Sequence, residues 1–207
     1  MLQRYTEGSE TMKLEIRSTL IPGTIMEKAK MGDVTGMEFL NKIFYITDGI
    51  MLAQIREICG IDGSTLQNWT KRGWVANAKN KRYDKDQLAR ILIINMMRDS
   101  MQLDRIAGLL TYVNGKANDT SDDIIPEAEL YDYLCRLIDC LVRDEATVDG
   151  NIYDLIAREL SSYEEHGAGT RKRLERACGI IIMAYYATLI RQHASGMYDE
   201  VFKISKV

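Results

Sequence analysis

The chain contains little proline, little histidine and no marked excess of charge of either sign. Two Pro and two His occur in 207 residues, and 27 Lys and Arg against 30 Asp and Glu leave a net charge of −3. This balance excludes a highly basic coat protein and an acidic disordered tail. The scarcity of Pro, together with 46% hydrophobic residues, favours a helix-rich chain that buries a sizeable core.

Long hydrophobic runs are also absent. The longest, over residues 177–190 (ACGIIIMAYYATLI), is shorter than the roughly 18 residues that span a bilayer, and the first ten residues lack the apolar core of a signal peptide. We therefore expect a cytoplasmic protein without a membrane segment, in which Cys59, Cys135, Cys140 and Cys178 are reduced thiols. Their spacing is not that of a metal site, so we expect neither a metal nor a cofactor.

Motifs of enzyme active sites are missing as well. His166 and His193 are the only histidines, and neither lies near a Ser, Cys or carboxylate group in the pattern of a catalytic site. The sequence has no Gly-rich phosphate loop, no His-Glu-x-x-His and no nucleophile elbow. We expect no enzymatic activity.

The nearly even net charge conceals a basic middle segment. Residues 52–110 carry 10 basic and 6 acidic side chains, whereas residues 111–207 carry 11 basic and 17 acidic ones. Within the middle segment, only Asp84 interrupts a cluster of basic residues, namely Lys71, Arg72, Lys79, Lys81, Arg82 and Lys85. Such a cluster indicates either a contact with a polyanion or a solvated surface.

Two short helices joined by a glycine-containing turn are predicted within residues 48–72. Asp48 is the expected N-cap of the first helix, and Gly60 ends it. One face of this helix is apolar, with Leu52, Ile55, Ile58 and Cys59. The turn Asp62-Gly63-Ser64 precedes the second helix, which runs from Ser64 to Arg72 with Leu66 and Trp69 on its inner face and stops at Gly73.

The remaining helices and loops are predicted from the same signals, namely apolar spacing, caps and turn residues. Residues 1–33 predict a loosely ordered arm, residues 37–46 a short helix or an extended lead-in, and residues 74–83 an extended excursion with a polar tip. Further helices are predicted over residues 85–99 with Asp84 as N-cap, from Ser100 or Asp104 to about Leu110, and over residues 127–142, 152–163 and 171–193. Residues 114–126 predict a linker. The apolar run 177–190 predicts a wholly buried helix, as the centre of a bundle or half of a subunit interface.

The second of the two short helices has the features of a recognition helix. In a helix–turn–helix the second helix enters the major groove of DNA. It needs an apolar inner face, small or amide side chains outside that pair with base edges, and flanking cations that neutralise phosphates. Residues 64–72 (STLQNWTKR) supply all three.

Residues 50–75 resemble the first helix–turn–helix of the MerR-type winged-helix regulators. The matching positions are Gly60, Thr65, Leu66, Trp69, Gly73, Trp74 and Val75. The family continues with a wing that ends in a basic residue and a Tyr-Asp entry to the next helix, as in Lys81, Arg82, Tyr83 and Asp84. Its fourth helix is similar to Leu103, Asp104, Ile106, Leu109 and Leu110. The resemblance implies a DNA-binding domain over about residues 50–112.

The sequence is even more similar to a bacterial family described as a domain of unknown function, usually regarded as MerR-like. Its members carry a Gln-Asn-Trp-x-Lys-Arg-Gly segment and a Lys-Arg-Tyr signature, found here at residues 67–73 and 81–83. This resemblance implies DNA binding without a known ligand. MerR-type proteins usually have Arg-Tyr at the position of Gln67-Asn68 and an acidic residue at that of Thr70, so different bases are expected. They also dimerise through a long heptad helix, for which the C-terminus shows no clear pattern.

We therefore predict an all-α fold in which a MerR-like winged helix–turn–helix with a small β wing precedes a C-terminal helical bundle. The expected regions are an N-terminal arm (1–46), the DNA-binding domain (47–112) and a dimerisation or effector domain (125–200). The expected function is sequence-specific binding of double-stranded DNA by a homodimeric transcriptional regulator, with an effector at the C-terminal helices as a further expectation. The alternative is a protein-interaction adaptor that keeps the fold without reading DNA.

The predicted DNA contacts lie on the second helix and on the wing. The base-reading residues are Thr65, Gln67, Asn68 and Lys71, with Ser64 in the same set, and the phosphate contacts are Arg72, Lys81 and Arg82. Tyr83 either packs under the wing or reaches a phosphate with its hydroxyl.

Overall fold

The protein is mostly helical. A computed structural model describes residues 18–143 and 152–202, which form eight α-helices, two short 3-10 helices and one two-stranded sheet. The helices are α1 (Gly36–Ile43), α2 (Leu52–Cys59), α3 (Gly63–Lys71), α4 (Lys85–Met97), α5 (Leu103–Asn114), α6 (Glu127–Arg143), α7 (Ile152–Glu159) and α8 (Thr170–Phe202). The strands are β1 (Ile50–Met51) and β2 (Arg82–Tyr83). The prediction of a helix-rich chain is confirmed.

The two short helices of the predicted turn form as expected. Gly60 follows α2 at φ 66°, a left-handed conformation that favours glycine, and a Cβ there would lie 2.7 Å from Cγ2 of Ile25. Leu66 and Trp69 of α3 are 0% and 1% exposed. The N-cap prediction for α2 is wrong: Asp48 lies outside the first turn, and the Gln54 side chain accepts the N–H of Met51 at 2.9 Å instead.

Strand β2 pairs with β1, and Arg82 of β2 also forms an antiparallel bridge with Lys79 in the segment directly before it. The antiparallel register places Ile50 opposite Tyr83 and Met51 opposite Arg82. Because β1 leads directly into α2 and β2 into α4, this short sheet fixes the starts of the two helices side by side.

Helices α4 and α6 form the centre of the molecule. Ten of the 13 residues of α4 are buried, from Gln87 to Met97, and α6 packs against α1, α4, α7 and α8. The first turn of α6 is capped from α4, because Asp86 Oδ1 accepts the N–H of Ala128 at 2.8 Å. The predicted core positions of α6, Leu130, Leu134, Leu137, Ile138 and Leu141, are all buried.

The described part of the N-terminal arm is packed rather than loosely ordered, which corrects the prediction for residues 18–33. Ile21 is fully buried, and Lys28 forms an ion pair with Asp139 of α6 at 2.6 Å. The N–H of Met37 donates to Asp132, also on α6, at 2.6 Å. Residues 1–17 of the predicted arm lie outside the described residues.

Segments that connect the helices differ from the predictions in detail. Helix α5 extends four residues past Leu110, to Asn114. The predicted linker has no helix or strand between Gly115 and Pro126, yet Ile124 and Ile125 are buried. The buried apolar side chains form one cluster that includes residues from α1 to α8. The predicted division into three regions stays a prediction.

Helix α8 is longer and less buried than predicted. It spans 33 residues, and its apolar run is covered on one side only, because Ile180, Met183 and Ile190 are 45%, 48% and 47% exposed. The prediction of a wholly buried helix is therefore wrong for the single chain. No helix in residues 18–143 and 152–202 is long and apolar enough to cross a membrane.

Candidate nucleic-acid interface

Helix α3 begins with a strong N-cap. Asp62 Oδ1 accepts the N–H of Thr65 at 2.8 Å and the hydroxyl of Ser64 at 2.5 Å. These hydrogen bonds, from Ser64 first, lower the pKa of Asp62 to about 2, so the carboxylate is charged at neutral pH. A negative group at a helix N-terminus is favoured by the helix dipole. The cap gives a helix of nine residues a defined start.

The outer face of α3 is exposed to solvent. Gln67, Asn68 and Lys71 are exposed, as is Ser64 in the first turn, whereas Thr65 is half-buried. Their side chains point away from the buried Leu66 and Trp69, as the helical spacing requires. The predicted contact residues of α3 are therefore brought together on one free surface, with Thr65 at its edge.

Arg72 at the end of α3 is held in place by three neighbours. Its Nε donates to Asn68 Oδ1 at 3.4 Å, its guanidinium carbon lies 5.0 Å from the centre of the Trp74 ring, and Asp104 Oδ1 is 3.8 Å from Nη1. Stacking on an aromatic ring orients a guanidinium without using up its N–H donors. Arg72 is thus oriented before any partner arrives.

A tight basic turn follows α3. Lys79 and Arg82 exchange two backbone hydrogen bonds of 2.9 Å, and the two residues between them, Asn80 and Lys81, have φ of 51° and 62°. Positive φ at both central positions is the conformation of a type I′ hairpin turn. Lys79, Lys81 and Arg82 are exposed, and Arg82 Nη1 donates to Gly49 O at 2.8 Å. The turn presents its cations on a rigid backbone.

Of the two roles predicted for Tyr83, packing beneath the turn is the one that its position fits. It is 7% exposed and pairs with Ile50 in the sheet. Its burial supports the base of the turn and argues against a phosphate contact by this residue.

Two buried polar residues of α4 hold the loop that carries the turn. Gln87 Nε2 donates to the carbonyls of Ala76 and Asn77 at 3.1 and 3.0 Å. Arg90 Nε donates to Trp74 O at 2.6 Å, and its Nη1 forms an ion pair with Glu127 of α6. The backbone carbonyls of a loop without helix or strand need hydrogen-bond donors from elsewhere, and Gln87 and Arg90 of α4 supply them here.

Residues 39–134 match the profile of a family described as "Domain of unknown function (DUF1836)". The matched segment is a little under half of the chain and runs from α1 into α6. It includes α3, the basic turn and the α4 residues that hold the loop. Searches of curated proteins and of solved structures found no significant match. The similarity to a family of unknown function is thus borne out, and the family's description carries no activity.

Within the matched segment, the sequence prediction missed Gln87 and Arg90. Both lie in an otherwise apolar helix, where Gln87 is 8% and Arg90 4% exposed. Polar side chains at buried helix positions must find partners. This rule could have identified both residues from the sequence. Asp84, the N-cap of α4, is followed by Gln87 and Arg90 at intervals of three residues, which places them on one side of the helix.

The cysteines of the chain behave as buried apolar groups at three positions. Burial raises the pKa values of Cys59, Cys135 and Cys178 to about 12, so these thiols stay protonated at neutral pH. Among residues 18–143 and 152–202, no group of three or more His, Cys, Asp or Glu side chains is arranged to hold a metal ion. The predicted absence of a cofactor and of enzymatic activity stays a prediction.

Asp123, in the loop before α6, gives a testable pH dependence. Burial, followed by the charges of Glu127 and Asp122, raises its pKa from 3.8 to about 6. The folded chain therefore binds this proton more tightly than the unfolded chain, and the stability due to protonation is lost as pH rises through about 6. We expect Asp123→Asn to raise the melting temperature by about 2 °C at neutral pH and by little near pH 4. Calorimetry at both pH values checks this, and an equal shift at both would contradict it.

Proposed function

We propose that this protein is a sequence-specific DNA-binding transcriptional regulator that binds duplex DNA as a homodimer. In this proposal α2 and α3 are a MerR-like helix–turn–helix, α3 is the recognition helix, and the turn from Lys79 to Arg82 is the wing. The observation that carries the proposal is the two-sidedness of α3, whose Leu66 and Trp69 are buried while its amides and cations are exposed.

The exposed side chains of α3 suit base edges in the major groove. Gln67 and Asn68 offer amides, which pair bidentately with adenine, and Lys71 suits the acceptors of guanine. The charged Asp62 at the start of α3 repels phosphates. The phosphate contacts are therefore assigned to the other end of the helix and to the turn, where Arg72, Lys81 and Arg82 lie.

Lys81 gives independent support for a functional turn. A lysine at φ 62° is strained by roughly 1–2 kcal/mol relative to glycine, which hairpin turns prefer at this position. Strained residues concentrate at binding sites, where a side chain is needed despite the conformation. A purely structural turn has no such need for a cation here.

The proposed dimer interface is an apolar stripe on α8. Its positions alternate in steps of three and four residues, which is the heptad spacing of a coiled coil, and all of them are exposed: Ile180, Met183, Ala187, Ile190, Ala194, Met197 and Val201. Such a stripe marks an interaction surface, and a second helix with the same apolar spacing buries it. A second copy of this chain supplies that partner. The sequence predicts no clear heptad pattern at the C-terminus, and the exposure of these positions is what supports one.

The dimer proposal predicts a specific loss of assembly. Ile190→Arg places a charge in the middle of the apolar stripe, where dimerisation would bury it without a partner. We expect the wild-type mass in solution to be twice the 23.6 kDa of one chain, and the mass of Ile190→Arg to equal one chain. Light scattering after size exclusion measures both. Gln192→Arg, which adds the same charge at an exposed residue outside the stripe, should stay dimeric; a monomeric wild type would contradict the proposal.

The experiment that tests the function is a selection from random duplexes with the full chain. We expect an enriched, two-fold symmetric motif whose half-site spacing reflects the dimer. Gln67→Ala with Asn68→Ala should bind the selected motif at least about 30-fold more weakly, since each of the two bidentate pairs contributes about 1–3 kcal/mol of discrimination. No enriched motif at moderate salt would overturn the proposal.

A protein-interaction adaptor remains the second candidate because of one apolar feature. Tyr45 and Ile46 are 86% and 89% exposed, and Ile46 lines a shallow pocket together with Lys79 and Arg82 of the basic turn. Exposed aromatic and aliphatic pairs beside arginine are typical of protein-binding surfaces. The duplex selection separates the two candidates, because an adaptor enriches no sequence.

A further inference from the structure

Arg72, directly after α3, contacts Asn68 through both its backbone and its side chain. The N–H of Arg72 donates to Asn68 O at 3.0 Å, and its Nε donates to Asn68 Oδ1 at 3.4 Å, as the spacing of four residues allows. An Nε–H group only donates, whereas the two ends of an amide differ, Oδ1 being an acceptor and Nδ2 a donor. The contact therefore fixes which end of the Asn68 amide faces Arg72.

The ring of Trp74 restricts the movement of the Arg72 guanidinium, whose carbon lies 5.0 Å from the centre of the ring. Trp74 is itself fixed at two points of its backbone. Its N–H donates to Trp69 O at 2.9 Å, and its carbonyl accepts Nε of the buried Arg90 at 2.6 Å. A planar guanidinium that is stacked on a fixed ring loses less freedom when its N–H groups form hydrogen bonds. Arg72 is thus a well-placed donor towards Asn68.

The nitrogens of Arg72 are divided between two tasks. Nε bonds to Asn68 Oδ1, whereas Asp104 Oδ1 lies 3.8 Å from Nη1, which is too far for a hydrogen bond. The far end of the guanidinium is therefore available for a phosphate, the contact proposed above. The Asn68 amide also keeps a usable edge, because its oxygen has two lone pairs and Arg72 uses only one. Oδ1 and Nδ2 still match the donor and the acceptor of adenine.

We propose that Arg72 is a positioning residue for base reading, because it orients the Asn68 amide for a bidentate contact with adenine. This inference rests on the proposed function, since it concerns the same DNA surface. A free amide on an exposed side chain loses rotational freedom when it binds, and an amide that is already oriented loses less. Arg72 thereby strengthens the preference for adenine at one position of the motif, in addition to its own phosphate contact.

Two substitutions at position 72 separate base reading from phosphate binding. Arg72→Lys keeps the positive charge, but lysine has a single nitrogen, one bond beyond the position of Nε, which cannot serve Asn68 and a phosphate together. Arg72→Gln loses the charge, but the side-chain nitrogen of glutamine follows Cδ, as Nε of arginine does, and still donates to Asn68. The first variant should lose base preference and the second should keep it.

The test uses the full chain and the motif selected by the wild type. Competition between duplexes measures base preference at the position whose preference is lost in Asn68→Ala. We expect Arg72→Lys to lower the preference for adenine there about three- to tenfold with an unchanged salt slope. Arg72→Gln should keep the preference within about twofold while the slope falls by about 0.9. Arg136→Lys should match the wild type in both, although Arg136 of α6 is likewise stacked on a ring, that of Tyr133, and paired with Asp132 four residues earlier.

The outcomes separate this inference from the proposed function. It alone is overturned if the wild type selects a motif in which no position is sensitive to Asn68→Ala, or in which the sensitive position prefers a base other than adenine. It is also overturned if Arg72→Lys keeps the wild-type preference, if Arg72→Gln loses as much preference as Arg72→Lys, or if Arg72→Lys changes the preference further in the Asn68→Ala background. A selection that enriches no motif overturns the proposed function together with this inference.

Discussion

Exchanging Arg72 for Gln and Lys81 for Gly in one variant is expected to weaken duplex binding about 50-fold at 0.1 M salt, for every sequence tested. Each phosphate contact contributes about 0.9 to the slope of log affinity against log salt, so the loss of two contacts lowers the slope by about 1.8. At 0.1 M salt the same two contacts account for nearly two decades of affinity. Titrations by fluorescence anisotropy at several salt concentrations measure both quantities.

Glycine is chosen at position 81 so that a loss of DNA affinity is not caused by a loss of stability. Lys81 has φ 62°, where glycine is unstrained, so Lys81→Gly removes strain of about 1 kcal/mol that is partly offset by the greater freedom of the unfolded chain. The free energy of unfolding should therefore not fall while affinity does. Lys172→Gln removes one charge from an exposed position on α8 and should keep the wild-type slope. An unchanged slope in the double variant would refute the assignment of the phosphate contacts.

The region around α3 was predictable because local signals agree there. Glycine at positions 60 and 73, the turn Asp62-Gly63-Ser64 and the spacing of Leu66 and Trp69 all indicate the same short helix, and the structure caps that helix within this turn, at Asp62. When capping, turn chemistry and apolar period agree, few alternatives remain. The exposed face of α3 then follows from geometry alone.

The heptad stripe of α8 was missed because two apolar faces overlap in the sequence. One face is covered by the rest of the chain and contains Leu174, Cys178 and Ile181, while the exposed stripe begins at Ile180. Read together over residues 177–190, the two faces give a run that is apolar all round and has no period. Beyond this run the stripe continues through Ala194, a residue too small to stand out as a core position.

Contacts between residues that lie far apart in the sequence could not be predicted, for a similar reason. The arm around Ile21 and Lys28 shows no period of its own, and it is ordered by α6, more than a hundred residues away in the sequence. Gln87 and Arg90 likewise depend on carbonyls of a loop whose path the sequence does not specify. Periodicity reports which side of a helix is buried, but not what lies against it.

Arg90 and Glu127 give the largest expected effect on stability. The two side chains are 4% and 7% exposed and form an ion pair between α4 and α6. Removing one partner leaves the other charge buried and unpaired, which costs about 3–5 kcal/mol. We expect the single variants Arg90→Met and Glu127→Met each to lose about this much free energy of unfolding in urea. Lys116→Met, at an exposed position nearby, should lose less than about 0.5 kcal/mol.

The double variant, Arg90→Met with Glu127→Met, tests whether the two residues stabilise the fold as an ion pair or independently of each other. With both charges absent, the apolar side chains fill the space, and the remaining loss is mainly that of the Trp74 carbonyl, whose donor was Arg90 Nε, at about 1–2 kcal/mol. A double-mutant cycle should therefore give a coupling of about 3 kcal/mol or more. Simple additivity of the two single losses would show that the ion pair does not join α4 to α6. Because Trp74 leads from α3 towards the basic turn, the coupling also determines how firmly the proposed DNA-binding surface is held against the rest of the chain.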